Sequence, residues 1–250
     1  NAYTKNTQSA SQSSARKVKS FMVTRSQVGV VSLEELKLDC VPKATRKAFL
    51  RARKFDFLKS KSWYLAGGTA LALQVGHRKS VDLDFFTTKK NFAVEQIERI
   101  LFEEGNWVTT HKEKGTLYGL LHNAKMSFIA YPFFRPSHKR LRFGAIGILL
   151  PDDIAAMKII AVSQRGRKRD FLDLYWYAHF HGTLGDALRR AVAQYPDQKH
   201  SITHFLKSLT YFDDAEGDPM PEIYFKADWK AVKAYFRREI PKIMRELLRL

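Results

Sequence analysis

One cysteine, Cys40, stands among 250 residues. That excludes an intrachain disulfide framework and zinc motifs built from cysteines, and it fits a reducing compartment. No apolar run approaches the roughly 18 residues of a membrane-spanning helix, and no secretory pattern opens the chain. Acidic residues are few. Against 25 Asp and Glu stand 43 Lys and Arg, a formal charge of +18. Such an imbalance favours a polyanionic partner, because phosphates neutralised by the protein release their counterions. The acidic stretch at 212–221 lacks the spacing and glycine of an EF-hand loop. No Ser-His-Asp or Cys-His arrangement stands out, and His179 and His181 sit at a helix end, where solvent is the commoner environment.

What is present is a globular composition, 45% hydrophobic and 13% aromatic. It is enough for one large domain or two modest ones. Residues 1–20, rich in Ser, Gln and Asn, read as a flexible tail. Helix and strand patterns then mix over 21–150. A basic amphipathic helix is expected at 43–59, a buried strand ending in glycines at 62–68, and a short helix at 69–75. A strand over "SVDLDFFT" and a helix at 91–105 follow. Three antiparallel strands then fill 107–134, and one more strand is expected at 143–150, closed by Pro151. From 151 to 250 the pattern is helical: 152–164, 168–180, 183–195, 200–210 and 228–249, with Pro241 interrupting or kinking the last. The order predicts an α+β fold, a mixed sheet with flanking helices followed by an all-helical C-terminal part.

The stretch "VDLDFF" (81–86) places two aspartates one residue apart in an apolar run. Strand alternation points Asp82 and Asp84 to one face and Val81, Leu83 and Phe85 to the other. Two carboxylates so close repel unless a cation lies between them. A divalent metal such as Mg²⁺ or Mn²⁺ would serve, as would an Arg or Lys. Upstream, Gly67, Gly68 and Thr69 lie where the strand gives way to the helix. Glycines there let backbone N–H groups approach a phosphate, and Thr69 can cap the helix or donate its hydroxyl. An ordinary tight turn is the plainer reading of the same residues.

A second segment carries charge where the pattern is apolar. Lys158 is flanked by Ile154, Ala155, Ala156, Met157, Ile159, Ile160, Ala161 and Val162. It needs either an anionic partner or a route to water. Asp170 and Asp173 follow at helical spacing and share a face. Basic residues cluster as "RGRKR" (165–169) and "SHKRLR" (137–142). Arg165, Arg167, Lys168 and Arg169 are therefore candidates for binding nucleic acid.

These two blocks, "LAGGTALAL…GHRKSVDLDFF" and "DDIAAMKIIAVSQRGRKRDFLDLYW", resemble the signature of the AbiEii/AbiGii toxin family of nucleotidyltransferases, in the polymerase-beta-like superfamily. The resemblance covers residues 64–177. It implies a polymerase-beta-like nucleotidyltransferase core over 21–150 and a helical domain over 151–250. It implies an enzyme of the EC 2.7.7 type, moving NMP from an NTP to an acceptor hydroxyl, with Mg²⁺ or Mn²⁺ as cofactor. The acceptor implied is RNA, the 3′ end of tRNA, in a cytoplasmic toxin-antitoxin or abortive-infection system with a cognate antitoxin as a further partner. Asp82 and Asp84 would hold the metal. Gly67, Gly68, Thr69, Arg78 and Lys158 would bind the nucleotide. Asp170 would be the functional acid beside Lys158, and Asp173 its structural partner. Superfamily members usually carry a third carboxylate on a neighbouring strand. Here that strand offers Ser127 and Ile129, which leaves room for a single metal ion. The competing readings are a catalytically inactive basic RNA-binding module of the same fold and a metal-dependent glycosyltransferase. The Lys158 and Asp170 block fits the glycosyltransferase poorly.

Overall fold

The computed structural model describes residues 29–137, 139–196 and 202–248. The tail expected over 1–20 lies outside the described residues, as do His138 of the second basic cluster, residues 200–201 of an expected helix and residue 249.

Seven strands form one mixed sheet: β1 (Trp63–Ala66), β2 (Leu83–Thr87), β3 (Trp107–Glu113), β4 (Thr116–Leu121), β5 (Ala124–Ala130), β6 (Arg140–Phe143) and β7 (Ile146–Leu149). Their order is β3-β4-β5-β2-β1-β7-β6. β2 pairs antiparallel with β1 and parallel with β5, so the strand bearing Asp84 lies near the centre of the sheet. Where one strand was expected at 143–150, β6 and β7 form a hairpin instead. Gly144 makes the turn at φ 58°, a left-handed conformation that glycine adopts without a Cβ penalty.

The strands are amphipathic for a reason visible in β2. Leu83, Phe85 and Thr87 are buried, while Asp84 and Phe86 on the opposite face are only partly so. Phe85 stacks on Phe128 of β5, which meets Phe57, Trp63 and Trp107 at ring distances of 5.7–6.4 Å. This aromatic cluster supplies large apolar area to one face of the sheet. Helices α1 (Lys43–Ala52) and α3 (Val94–Glu103) add to that core through Phe49, Ala52, Ile97 and Leu101.

The other face carries one cross-strand row, Asp84 opposite Ser127 and Ser127 opposite Tyr118. Helix α2 (Gly67–Val75) follows β1 directly and is buried through Thr69–Gln74. The C-terminal half is helical: α4 (Pro151–Arg165), α5 (Lys168–Phe180), α6 (Leu184–Gln194), α7 (Ile202–Ser208), α8 (Asp213–Glu216) and α9 (Trp229–Leu248). The last runs through Pro241, and α8 lies inside the stretch read as an acidic loop. α4 packs on α2, α5, α6 and α7. One cluster of buried apolar residues runs from Leu36 to Ile240, through the sheet and the helices alike. Among the described residues, no helix is long and apolar enough to cross a membrane.

Candidate active site

A cavity of about 600 Å³ opens between the Asp84 face of the sheet and α4. Its lining includes Gly67, Asp82, Asp84, Ser127, Lys158 and Arg169. Residues 76 sequence positions apart thus meet in one place: Asp82 and Asp84 from the sheet side, Lys158 from the middle of α4. Asp82 lies just before β2 rather than within it, yet lines the same cavity as Asp84.

Asp84 accepts a hydrogen bond from Ser127 Oγ at 2.7 Å. Burial pushes its carboxyl above the ordinary range; the Ser127 bond opposes this, and the Asp82 charge adds to it. Asp82 Oδ1 is buried and has no hydrogen-bond partner among the described residues. An orphaned carboxylate oxygen beside a second carboxylate suits a divalent cation. The hard oxygen donors fit Mg²⁺, which takes one or two carboxylates and completes its shell with water and substrate phosphates. No group of three or more His, Cys, Asp or Glu side chains placed to hold a metal occurs among the described residues. The two-carboxylate arrangement is thus the one the site offers, with Ser127 in the row where a third acid would stand.

The buried charges behind Lys158 form one network. The Lys158 ammonium lies 2.5 Å from Asp170 Oδ1 and 2.7 Å from Asp173 Oδ2. It does not snorkel: its side chain is 7% exposed. Asp173 also accepts from Arg78 at both oxygens, at 2.6 and 3.0 Å, and from His77 Nε2 at 2.7 Å. Burial alone would raise the Asp173 carboxyl, but the Arg78 and Lys158 charges and the His77 and Arg78 hydrogen bonds hold it well below its ordinary value. Burial pushes His77 down. A neutral ring whose Nδ1 has no hydrogen-bond partner among the described residues carries its proton on Nε2 and donates it to Asp173.

Several of the expected site residues also have structural partners. Arg78 is buried in the cavity wall and bonded to Asp173 and to the Lys79 carbonyl, so it braces the site. The reason is Gly68: a Cβ there would lie 2.0 Å from Arg78 Nη2. Gly67, at φ 74°, brings the start of α2 against Asp84 Oδ2, 3.1 Å from where a Cβ would sit. Thr69 is not a cap, since Ala66 holds that position. Its hydroxyl is engaged by Ser80 Oγ at 2.8 Å and by the Asp82 carbonyl, which ties α2 to the segment before β2.

The "RGRKR" cluster is not one basic face. Lys168 is buried, its ammonium on the carbonyls of Glu216 and Asp218 and over the Trp229 ring. This removes it from any nucleic-acid surface. Arg167 donates to Asp218 at 2.7 Å. Only Arg165 and Arg169 turn to the cavity. His77 was overlooked as a site residue, although it lies inside the quoted "GHRKS". His179 and His181 serve locally, on the Tyr175 carbonyl and beside Asp152.

Residues 48–147 and 134–247 match the family described as nucleotidyl transferase AbiEii toxin, type IV TA system. An uncharacterised protein of Aquifex aeolicus (strain VF5) is 37% identical over 186 residues, 73% of this chain and 88% of that protein. The chain belongs to the AbiEii family. It is a nucleotidyltransferase, a transferase of the EC 2.7.7 type. Among solved structures, a candidate nucleotidyltransferase from H. pylori matches at TM-score 0.47 and 15% identity, over 88% of this chain and 98% of that one. MenT4, a nucleotidyltransferase toxin from Mycobacterium tuberculosis H37Rv, matches at 0.43 and 16%, over 81% and 86%. In this AbiEii chain the family match spans both the sheet and the helices that build the cavity.

Proposed function

We propose that this AbiEii-family enzyme transfers NMP from an NTP to a hydroxyl at the 3′ end of an RNA, tRNA in the first instance, with Mg²⁺ as cofactor. The observation that carries the reading is the convergence of Asp82, Asp84 and Lys158 on one cavity, with Asp170 2.5 Å behind the lysine. Asp82 and Asp84 would hold the metal, which supplies charge neutralisation of the reacting phosphates. Lys158 presents a fixed positive charge to the same space, where charge accumulates on the leaving pyrophosphate. Asp170 orients that ammonium. Its second oxygen accepts no hydrogen bond among the described residues and lies 3.5 Å from Arg165 Nε, so Asp170 acts on the cavity through Lys158 and Arg165. Gly67 keeps the approach to Asp84 open.

RNA as acceptor is supported by the charge of +18. On this reading the protein works in the cytoplasm, as a toxin held in check by a cognate antitoxin. Incubation with each of the four α-labelled NTPs and total RNA, with and without Mg²⁺, tests it. Label should enter RNA only with Mg²⁺ and with a preferred NTP. RNA binding without incorporation from any NTP would replace the proposal with an inactive RNA-binding module.

A further inference from the structure

The two arginines that face the cavity stand in an unusual relation to its carboxylates. Arg165, the last residue of α4, places Nε 3.5 Å from Asp170 Oδ2. Arg169, in the first turn of α5, places Nη1 3.9 Å from Asp82 Oδ2. Both side chains are about half exposed, at 56% and 47%. Neither contact closes into a hydrogen bond, although Asp170 Oδ2 and Asp82 Oδ1 are buried with no donor among the described residues. The structural pair Arg78–Asp173 is different: it closes at 2.6 and 3.0 Å and is buried. Guanidinium groups at the mouth of a cavity, near anions they do not fully engage, are placed to change partners.

We propose that Arg165 and Arg169 form a phosphate clamp: they balance Asp170 and Asp82 while the site holds no divalent cation, and close on the nucleotide's phosphate chain once Asp82 and Asp84 hold one. The inference rests on the nucleotidyl-transfer reading and deepens it. It adds guanidinium groups not already closed on a partner, because Arg78 and Thr69 line the cavity with polar atoms engaged by Asp173, the Lys79 carbonyl, Ser80 and the Asp82 carbonyl. A divalent cation on Asp82 and Asp84 repels a guanidinium a few ångströms away, and the incoming phosphate oxygens attract it. The planar fork of arginine meets phosphate bidentately. Arg167 and Lys168, between the two clamp residues, are anchored to Asp218 and Glu216. That anchor fixes the α4–α5 turn while its two outer arginines remain free to swing.

The test uses Arg165→Gln and Arg169→Gln in the full chain, with three probes: MnCl₂ alone, Mg-tripolyphosphate, and total tRNA. Tripolyphosphate makes the result independent of base preference. Arg169→Gln should bind Mn²⁺ alone about two- to five-fold more tightly, because a competing cation is gone. Both variants should bind Mg-tripolyphosphate about ten-fold more weakly, and Arg→Lys at either position should recover part of the loss. Affinity for tRNA should not change. Unchanged tripolyphosphate binding with weakened tRNA binding would overturn the clamp and assign the arginines to RNA. Unchanged or weaker Mn²⁺ binding in Arg169→Gln would overturn the exchange of partners. A wild type that binds tripolyphosphate through these arginines yet transfers no nucleotide from any NTP would instead remove the transfer reading and leave the clamp standing.

Discussion

Lys158 and Asp170 are locked together at 2.5 Å, one from the apolar middle of α4 and one from the first turn of α5, both shielded from solvent. The pairing sets the depth of the site. A lysine reaching freely to water could follow a substrate or ignore it. One held by two carboxylates presents its charge at a fixed point of the cavity wall, and that fixed placement lets a charge stabilise a transition state without reorganising.

Lys158→Met keeps volume and apolar character and deletes the charge. Turnover should fall by about 10²-fold or more, the scale of losing one preorganised electrostatic contact. The protein should also lose stability, since Asp170 and Asp173 are left short of a cation in a buried place. Breaking one partner of a buried pair costs about 3–5 kcal/mol. Single-turnover kinetics and urea unfolding read the two effects separately. Unchanged transfer would show that the lysine serves only the fold.

Asp82→Asn and Asp84→Asn should each abolish transfer and weaken Mn²⁺ binding while leaving the fold intact. Neither side chain is paired at close range with a buried cation, and removing one of two neighbouring negative charges relieves repulsion. Paramagnetic titration with Mn²⁺ and a thermal melt suffice as measurements. Full metal affinity in either variant would exclude the pair as the metal site.

The placement of Asp84 on the sheet face opposite Leu83 and Phe85 was legible in the sequence, because strand alternation is local. So was the helical register that brings Asp170 and Asp173 to one side of α5. The partners of these residues were not legible. Arg78 meets Asp173 across 95 positions, and Lys168 meets Asp218 across 50. Such pairings are decided by tertiary packing, and composition reads them only as loose basic and acidic clusters. Gly144 shows the same limit at short range: one left-handed residue converts an apparent strand into a hairpin.

Gly68→Ala tests the Arg78 brace. The new methyl would meet Arg78 Nη2 at 2.0 Å and Cζ at 3.0 Å. Arg78 cannot retreat, being buried and bonded to Asp173 and to the Lys79 carbonyl. We expect a stability loss of about 3–5 kcal/mol, the scale of a broken buried pair, and a fall in turnover as Asp173 loses its hold on Lys158. Denaturant unfolding decides it. A variant as stable as the wild type would mean that Arg78 is dispensable to the network.

Acid should weaken the protein through Asp152, away from Asp82 and Asp84. Its carboxylate lies at the start of α4, where Tyr177 Oη donates at 2.7 Å and His181 Nε2 stands at 3.4 Å. The hydrogen bond from His181 leads in lowering its carboxyl from 3.8 to about 2; burial opposes this, and the Tyr177 hydroxyl adds to it. A group depressed in the folded state contributes fully above its unfolded value and loses that contribution as pH falls through the folded one. The window is therefore from about pH 4 down to about pH 2. Urea unfolding of the wild type and Asp152→Asn should show the wild type more stable at pH 6, with the gap narrowing below pH 4 as both proteins come to carry a neutral group there. A gap that stays constant down to pH 3 would show that the ionised carboxylate adds nothing a neutral amide does not.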